Sequence, residues 1–140
     1  DPALFVQEFS VIFLDVDEFK RYNDAFGHET GDRALKELGG VLKNLARTTD
    51  ILARYGGEEF VLVLPTTGRE EALIAAERIR IGIEEHVFPR RKRLTVSVGV
   101  ATFPEDAAEP ADLLNRADRA LYQAKREGRN RIVAMPLAAD

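Results

Sequence analysis

The sequence predicts an α/β sandwich around a single core. Three observations carry this prediction. Short apolar runs are rich in β-branched and aromatic residues, other stretches place apolar residues at helical spacing, and the two follow one another as β-α-β-β-α-β-α-β. A length of 140 residues suits one domain over 1–140, with Pro136–Asp140 as a tail.

The first strand is read at Phe9–Leu14, within FSVIFLDVDEFK, and breaks into Asp15-Val16-Asp17. The stretch from Asn23 to Asp50 reads as helix, with Ala34, Leu35, Leu38, Val41, Leu42 and Leu45 as its apolar stripe. Thr30 or Asp32 is the candidate cap of its longer part, and the pair Gly39-Gly40 inside the stripe suggests close packing. Ile51–Tyr55 and Glu59–Leu64 read as the strands of a tight hairpin around Gly56-Gly57. Pro65 closes the second strand, since it cannot donate to a ladder. GREEALIAAERIRIGIEEH is a second amphipathic helix, and RLTVSVGVATFP alternates over Leu94, Val96, Val98 and Val100 as a strand does. A third helix starts near Pro110 and stops at Gly128, followed by a last short strand in RIVAM. The core of this order matches a ferredoxin-like split βαβ unit with an extra helix and strand.

Composition narrows the chemistry. The chain has no cysteine, so thiol nucleophiles, disulfides and thiolate metal sites are absent. His28 and His86 alone cannot build a histidine-rich zinc site. Any metal is therefore held mainly by oxygen, which favours Mg²⁺, Mn²⁺ or Ca²⁺. A net charge of −4 argues against nucleic acid as a partner, and the apolar runs are too short to cross a bilayer.

Asp15 and Asp17 stand two apart at a strand's end and so share a face. The hairpin brings Glu58 and Glu59 alongside if its strands neighbour the first. Carboxylates gathered in one place repel each other unless a cation compensates, and a hard divalent ion is the natural compensator. The alternative is that these are solvated acids at a strand end and an ordinary exposed turn. Gly56 and Gly57 leave the turn open to a ligand's approach, and Lys20, Lys125 and Arg129 can supply charge for phosphates. As a group these features suggest a nucleoside triphosphate; singly, each cation is an ordinary surface charge.

These residues resemble the GGDEF family of diguanylate cyclases, whose name-giving motif stands here as Gly56-Gly57-Glu58-Glu59-Phe60. The likeness extends to LDVDEFKRYNDAFGHETGD (Leu14–Asp32), RYGGEEF, SVGVA (Ser97–Ala101) and ADRALYQAKREGRN (Ala117–Asn130), in the family's order and spacing. It implies a fold like a polymerase palm or nucleotide cyclase, βααββαβ with an extra helix and strand. It also implies a cytoplasmic bacterial signalling enzyme that joins two GTP into cyclic di-GMP and releases two pyrophosphates. Two domains would face each other as a homodimer, each holding one GTP.

By the same resemblance, Asp15 and Glu58 hold Mg²⁺ or Mn²⁺ through their side chains and Val16 through its carbonyl, two ions per site. Glu58 is also the candidate base for the attacking hydroxyl, with Glu59 as a supporting residue of the catalytic pair. Lys20, Lys125 and Arg129 match the triphosphate contacts, and Gly56 and Gly57 let the nucleotide lie against the hairpin. Asn23 and Asp32 match the guanine-reading pair; their bland readings are a turn residue and a helix cap. Arg47-Thr48-Thr49-Asp50 fits the family's R-x-x-D product site, to which Arg78 adds a contact; a surface salt bridge is the alternative there. Only DPALFVQE precedes Phe9, so the chain is N-terminally short for the family, by trimming or by nature, and an upstream sensory or regulatory domain is expected in the whole protein. The rival function is a non-catalytic module that binds GTP or cyclic di-GMP. Degenerate members usually lose an acid at the hairpin or first strand, and Asp15, Glu58 and Glu59 are all present.

Overall fold

The computed structural model describes residues 7–138. Its elements are β1 (Phe9–Val16), α1 (Phe19–Phe26), α2 (His28–Leu45), β2 (Ile51–Arg54), β3 (Glu59–Pro65), α3 (Arg69–Glu85), β4 (Val96–Phe103), α4 (Leu113–Arg126) and β5 (Ile132–Ala134). The order βααββαβ plus a helix and strand is the expected one. Residues 1–6, and Ala139 and Asp140 of the expected tail, lie outside the described residues.

The five strands form one sheet in the order β2-β3-β1-β4-β5, antiparallel except for the β4–β5 pair. β1 is central and β4 beside it; both are buried on the two faces, which is why they read as near-continuous apolar runs. Helices α1, α2 and α3 cover one face, where Ile12, Leu14, Leu62, Val98, Leu38 and Ile83 meet in the larger core. Helix α4 covers the other, packing Leu113, Ala117 and Leu121 on Val11, Phe13 and Ala101. The two cores follow from the period-two alternation of the strands.

Two local expectations are corrected. The stretch read as one helix is two, broken at Gly27, whose φ of +88° lets its N–H close α1 on the Asn23 carbonyl at 2.7 Å before α2 begins. Gly27 takes the cap position of α2, so Thr30 and Asp32 lie inside the helix and cap nothing. The helix also stops at Leu45, short of Asp50. Second, Gly39-Gly40 marks no tight contact: a side chain added at Gly40 would meet nothing within 4 Å, and one at Gly39 only Phe60 at 3.9 Å. The close approach is at Gly99, where an added Cβ would lie 2.1 Å from the Ala117 carbonyl oxygen of α4. Among the described residues no helix is long and apolar enough to cross a membrane.

Candidate active site

β1 carries its chain through the core and delivers Asp15 and Val16 at its C-terminal end. Register does the rest. Asp15 lies opposite Glu59 on β3, and the Val16 N–H donates to the Glu58 carbonyl at 3.2 Å. The hairpin acids are thus set beside the strand-end acid, as the sequence suggested. Asp15, Val16, Lys20, Glu58, Lys125 and Arg129 line one pocket. Arg54 fixes the glycine turn by donating to the Gly57 carbonyl from Nη2 at 2.5 Å. An added Cβ at Gly56 would collide with the Glu59 carboxylate, while Gly57 faces open space.

The charge balance of this pocket is unfavourable to its acids. Burial pushes the Asp15 carboxyl up, against the hydrogen bond from Lys125 Nζ at 2.6 Å, and Asp17 adds to the rise. Burial first, and then the Asp15 charge, push Glu58 and Glu59 up as well. The Lys125 contact thus does not offset the burial of Asp15. Two carboxylates with a backbone carbonyl, still short of positive charge, are a donor set that fits a hard divalent cation. Among the described residues no group of three or more His, Asp or Glu side chains converges to hold a metal alone. The fit therefore depends on the Val16 carbonyl as well as on Asp15 and Glu58.

Asp17 is buried at the same end, but its carboxylate is taken by Thr95, Ser97 and the Asn130 N–H rather than joining the acid cluster. Sequence reasoning missed these partners. The available signal was Ser97, a polar residue near the start of the mostly apolar β4.

Asn23 and Asp32, the residues expected to read guanine, lie in α1 and α2 on either side of Gly27. Asn23 rests on Gly31, where an added Cβ would lie 1.7 Å from Asn23 Oδ1, and that buried oxygen has no hydrogen-bond partner. Asp32, the next residue, is exposed. A buried amide oxygen without a partner is rare enough to single out Asn23 at this corner.

Arg47, Asp50 and Arg78 line a separate cavity between the end of α2, the start of β2 and α3. Arg47 pairs with Asp50 at 3.2 Å and donates to Thr67 Oγ1 at 2.5 Å, and Arg78 reaches the Leu45 carbonyl at 3.1 Å. The salt bridge offered as the bland reading exists, and it lies inside a cavity floored by Leu62, Leu64 and Ile79.

The family profile described as diguanylate cyclase, GGDEF domain, matches residues 5–131. The chain belongs to the GGDEF family. Among curated relatives it is 40% identical over 126 residues to diguanylate cyclase A of Treponema denticola, covering 88% of this chain and 34% of that protein. It is 44% identical over 128 residues to diguanylate cyclase DgcM of Escherichia coli, covering 91% of this chain and 31% of that one. This GGDEF chain thus spans about a third of the length of those relatives. Among solved structures, the active GGEEF domain of a diguanylate cyclase from Vibrio cholerae superposes with a TM-score of 0.89 at 36% identity, covering 97% of this chain and 88% of that one. The GGDEF domain of DgcB from Caulobacter crescentus, in complex with c-di-GMP, gives a TM-score of 0.83 at 35% identity over 91% and 78% of the two chains. The fold and the family expected from the sequence are both borne out.

Proposed function

We propose that this domain is a diguanylate cyclase that condenses two GTP molecules into cyclic di-GMP with release of two pyrophosphates. The observation that carries the reading is the pocket that Glu58 and Asp15 share at the end of a buried strand, with Glu59 paired opposite Asp15, Lys125 on Asp15 and Arg129 lining the same pocket.

Asp15, Glu58 and the Val16 carbonyl would hold Mg²⁺ or Mn²⁺, two per site, which when bound acidifies the attacking 3′-hydroxyl and stabilises charge at the α-phosphate. The remaining work falls to side chains. Glu58 accepts the 3′-hydroxyl proton, with Glu59 in support. The 3′-oxygen then forms a bond to the α-phosphorus of the opposing GTP, and pyrophosphate leaves. Lys125 moves its hydrogen bond from Asp15 to the triphosphate, where Lys20 and Arg129 join it. Gly56 and Gly57 let the nucleotide approach the hairpin.

At the other end, Asp32 accepts from guanine N1–H and N2–H₂ while Asn23 fills its unpaired hydrogen-bonding capacity on the base edge. Adenine offers Asp32 no matching pair of donors, so it gains nothing there that guanine gains. Each domain offers one GTP site, so the chemistry requires a homodimer with the sites facing. Arg47, Asp50 and Arg78 bind the product and restrain synthesis. The domain works in the cytoplasm, where GTP is available, under an upstream sensory or regulatory segment of the whole protein.

Incubation with GTP and Mg²⁺, followed by chromatography, tests the reading. One cyclic di-GMP with two pyrophosphates is expected. Bound but unreacted GTP would replace it with the non-catalytic module.

A further inference from the structure

Asp17 is buried beside Asp15, yet the proposed reaction leaves it without a role. Its carboxylate gathers donors from two distant parts of the chain. One oxygen accepts from Thr95 Oγ1 at 2.7 Å and the Asn130 backbone N–H at 3.0 Å; the other accepts from Ser97 Oγ at 2.6 Å. Thr95 and Ser97 flank the start of β4, and Asn130 lies in the turn from α4 to β5.

That turn is unusual. After Gly128, both Arg129 (φ 66°) and Asn130 (φ 45°) are in the left-handed region. Two consecutive non-glycine residues adopt this conformation only where their surroundings hold them. Asn130 is held from its other side too, accepting from Arg80 Nη1 at 2.8 Å and donating to Glu84. Arg80 is in turn paired with Glu77. What the turn presents is Arg129. Its Nε lies 3.8 Å from Glu18, the residue after Asp17, and its side chain lines the pocket of Asp15 and Glu58.

We propose that Asp17 is a positioning residue: by accepting the Asn130 N–H it locks the left-handed turn that aims Arg129 at the triphosphate. The inference rests on the reading of Arg129 as a phosphate contact. It asks for the acceptor geometry of Asp17, not its charge. An asparagine can supply that geometry. Its carbonyl accepts from Thr95 and Asn130, and its amide donates to Ser97, whose hydroxyl can reverse direction. Alanine supplies nothing.

The test is calorimetric binding of 3′-deoxy-GTP with Mg²⁺, which carries the triphosphate but lacks the nucleophile. Parent, Asp17→Ala, Asp17→Asn, Arg129→Ala and the Asp17→Ala/Arg129→Ala double variant are compared, each with a melting curve. Arg129→Ala and Asp17→Ala are each expected to weaken binding about tenfold, the size of one charge-assisted contact. The double variant should bind within about twofold of Arg129→Ala, because both act through one guanidinium. Asp17→Asn should stay within about threefold of the parent. Additive losses, about a hundredfold in the double variant, would overturn the proposal, as would Asn binding as poorly as Ala. Parent-like binding by Arg129→Ala would instead remove the phosphate assignment, and the proposal with it. Should Asp17→Ala not fold, Thr95→Val takes its place: a weakening that vanishes in the Arg129→Ala background supports the proposal, and one that persists there overturns it.

Discussion

Glu58 and Asp15 are like charges under partial burial, and in the metal-free domain that placement works against the fold. Both carboxyls are pushed up from their ordinary range, which means the folded state disfavours their charge. Glu58→Gln should therefore leave the metal-free protein at least as stable as the parent at neutral pH, and added Mg²⁺ should raise the melting temperature of the parent more than that of the variant. Calorimetry in chelator and in Mg²⁺ checks both; a variant clearly less stable in chelator would mean that Glu58 is structural. These residues were legible in the sequence because the strand-end acids and the hairpin acids occur together in a β-α-β-β order that brings them alongside. The roles of Asp17 and Arg54 were not. Their partners lie on β4, the α4–β5 turn and the hairpin carbonyls, and only the folded register brings them near.

Among the elements, the contact of β4 with α4 tolerates least. Gly99→Ala would press a methyl group on the backbone of Ala117 and Leu121, which cannot move without the helix, so a loss of about 3 kcal/mol or more is expected. Gly40→Ala, in the open interior of α2, should instead gain about 0.5–1 kcal/mol. Chemical denaturation of the two variants decides between them, and a stable Gly99→Ala domain would contradict this packing. Helix α3 offers a test of charge. Arg80 holds the Glu77 carboxyl below its ordinary 4.5, so the unfolded chain binds that proton more tightly. The pair's contribution is full above that value and is lost as pH falls below it. With nearly half of the Glu77 side chain exposed it amounts to at most about 1 kcal/mol. Glu77→Gln should thus lose stability at neutral pH and none at about pH 3; equal losses at both would point to packing instead. Element order was readable from periodicity, but the break at Gly27 was not, since apolar residues keep helical spacing on either side of it. Gly39-Gly40 drew attention as a pair, while Gly99, alone in an apolar strand, is the glycine pressed against a helix backbone.

For the whole molecule, the proposed product site and the proposed active site are two cavities with different linings. The cavity of Arg47, Asp50 and Arg78 lies at the α2–β2 junction and shares no lining residue with the pocket of Asp15 and Glu58. Product bound there need not compete with GTP, so inhibition by cyclic di-GMP should be non-competitive. Arg47→Ala should relieve it by about tenfold or more, since one guanidinium contact and its link to Thr67 vanish together. Initial rates against added product at several GTP concentrations test this; inhibition overcome by GTP, or unchanged in Arg47→Ala, would return the pair to a surface salt bridge. The central claim is that Glu58 beside Asp15 makes this domain a cyclase. The most direct measurement is the initial rate of cyclic di-GMP formation from GTP and Mg²⁺ by parent and Glu58→Gln, side by side over a range of protein concentrations. Product is expected from the parent, with specific activity rising with concentration as two domains meet, and a rate lower by about a hundredfold or more in a folded Glu58→Gln. Product formed at near-parent rate by Glu58→Gln would contradict the central claim.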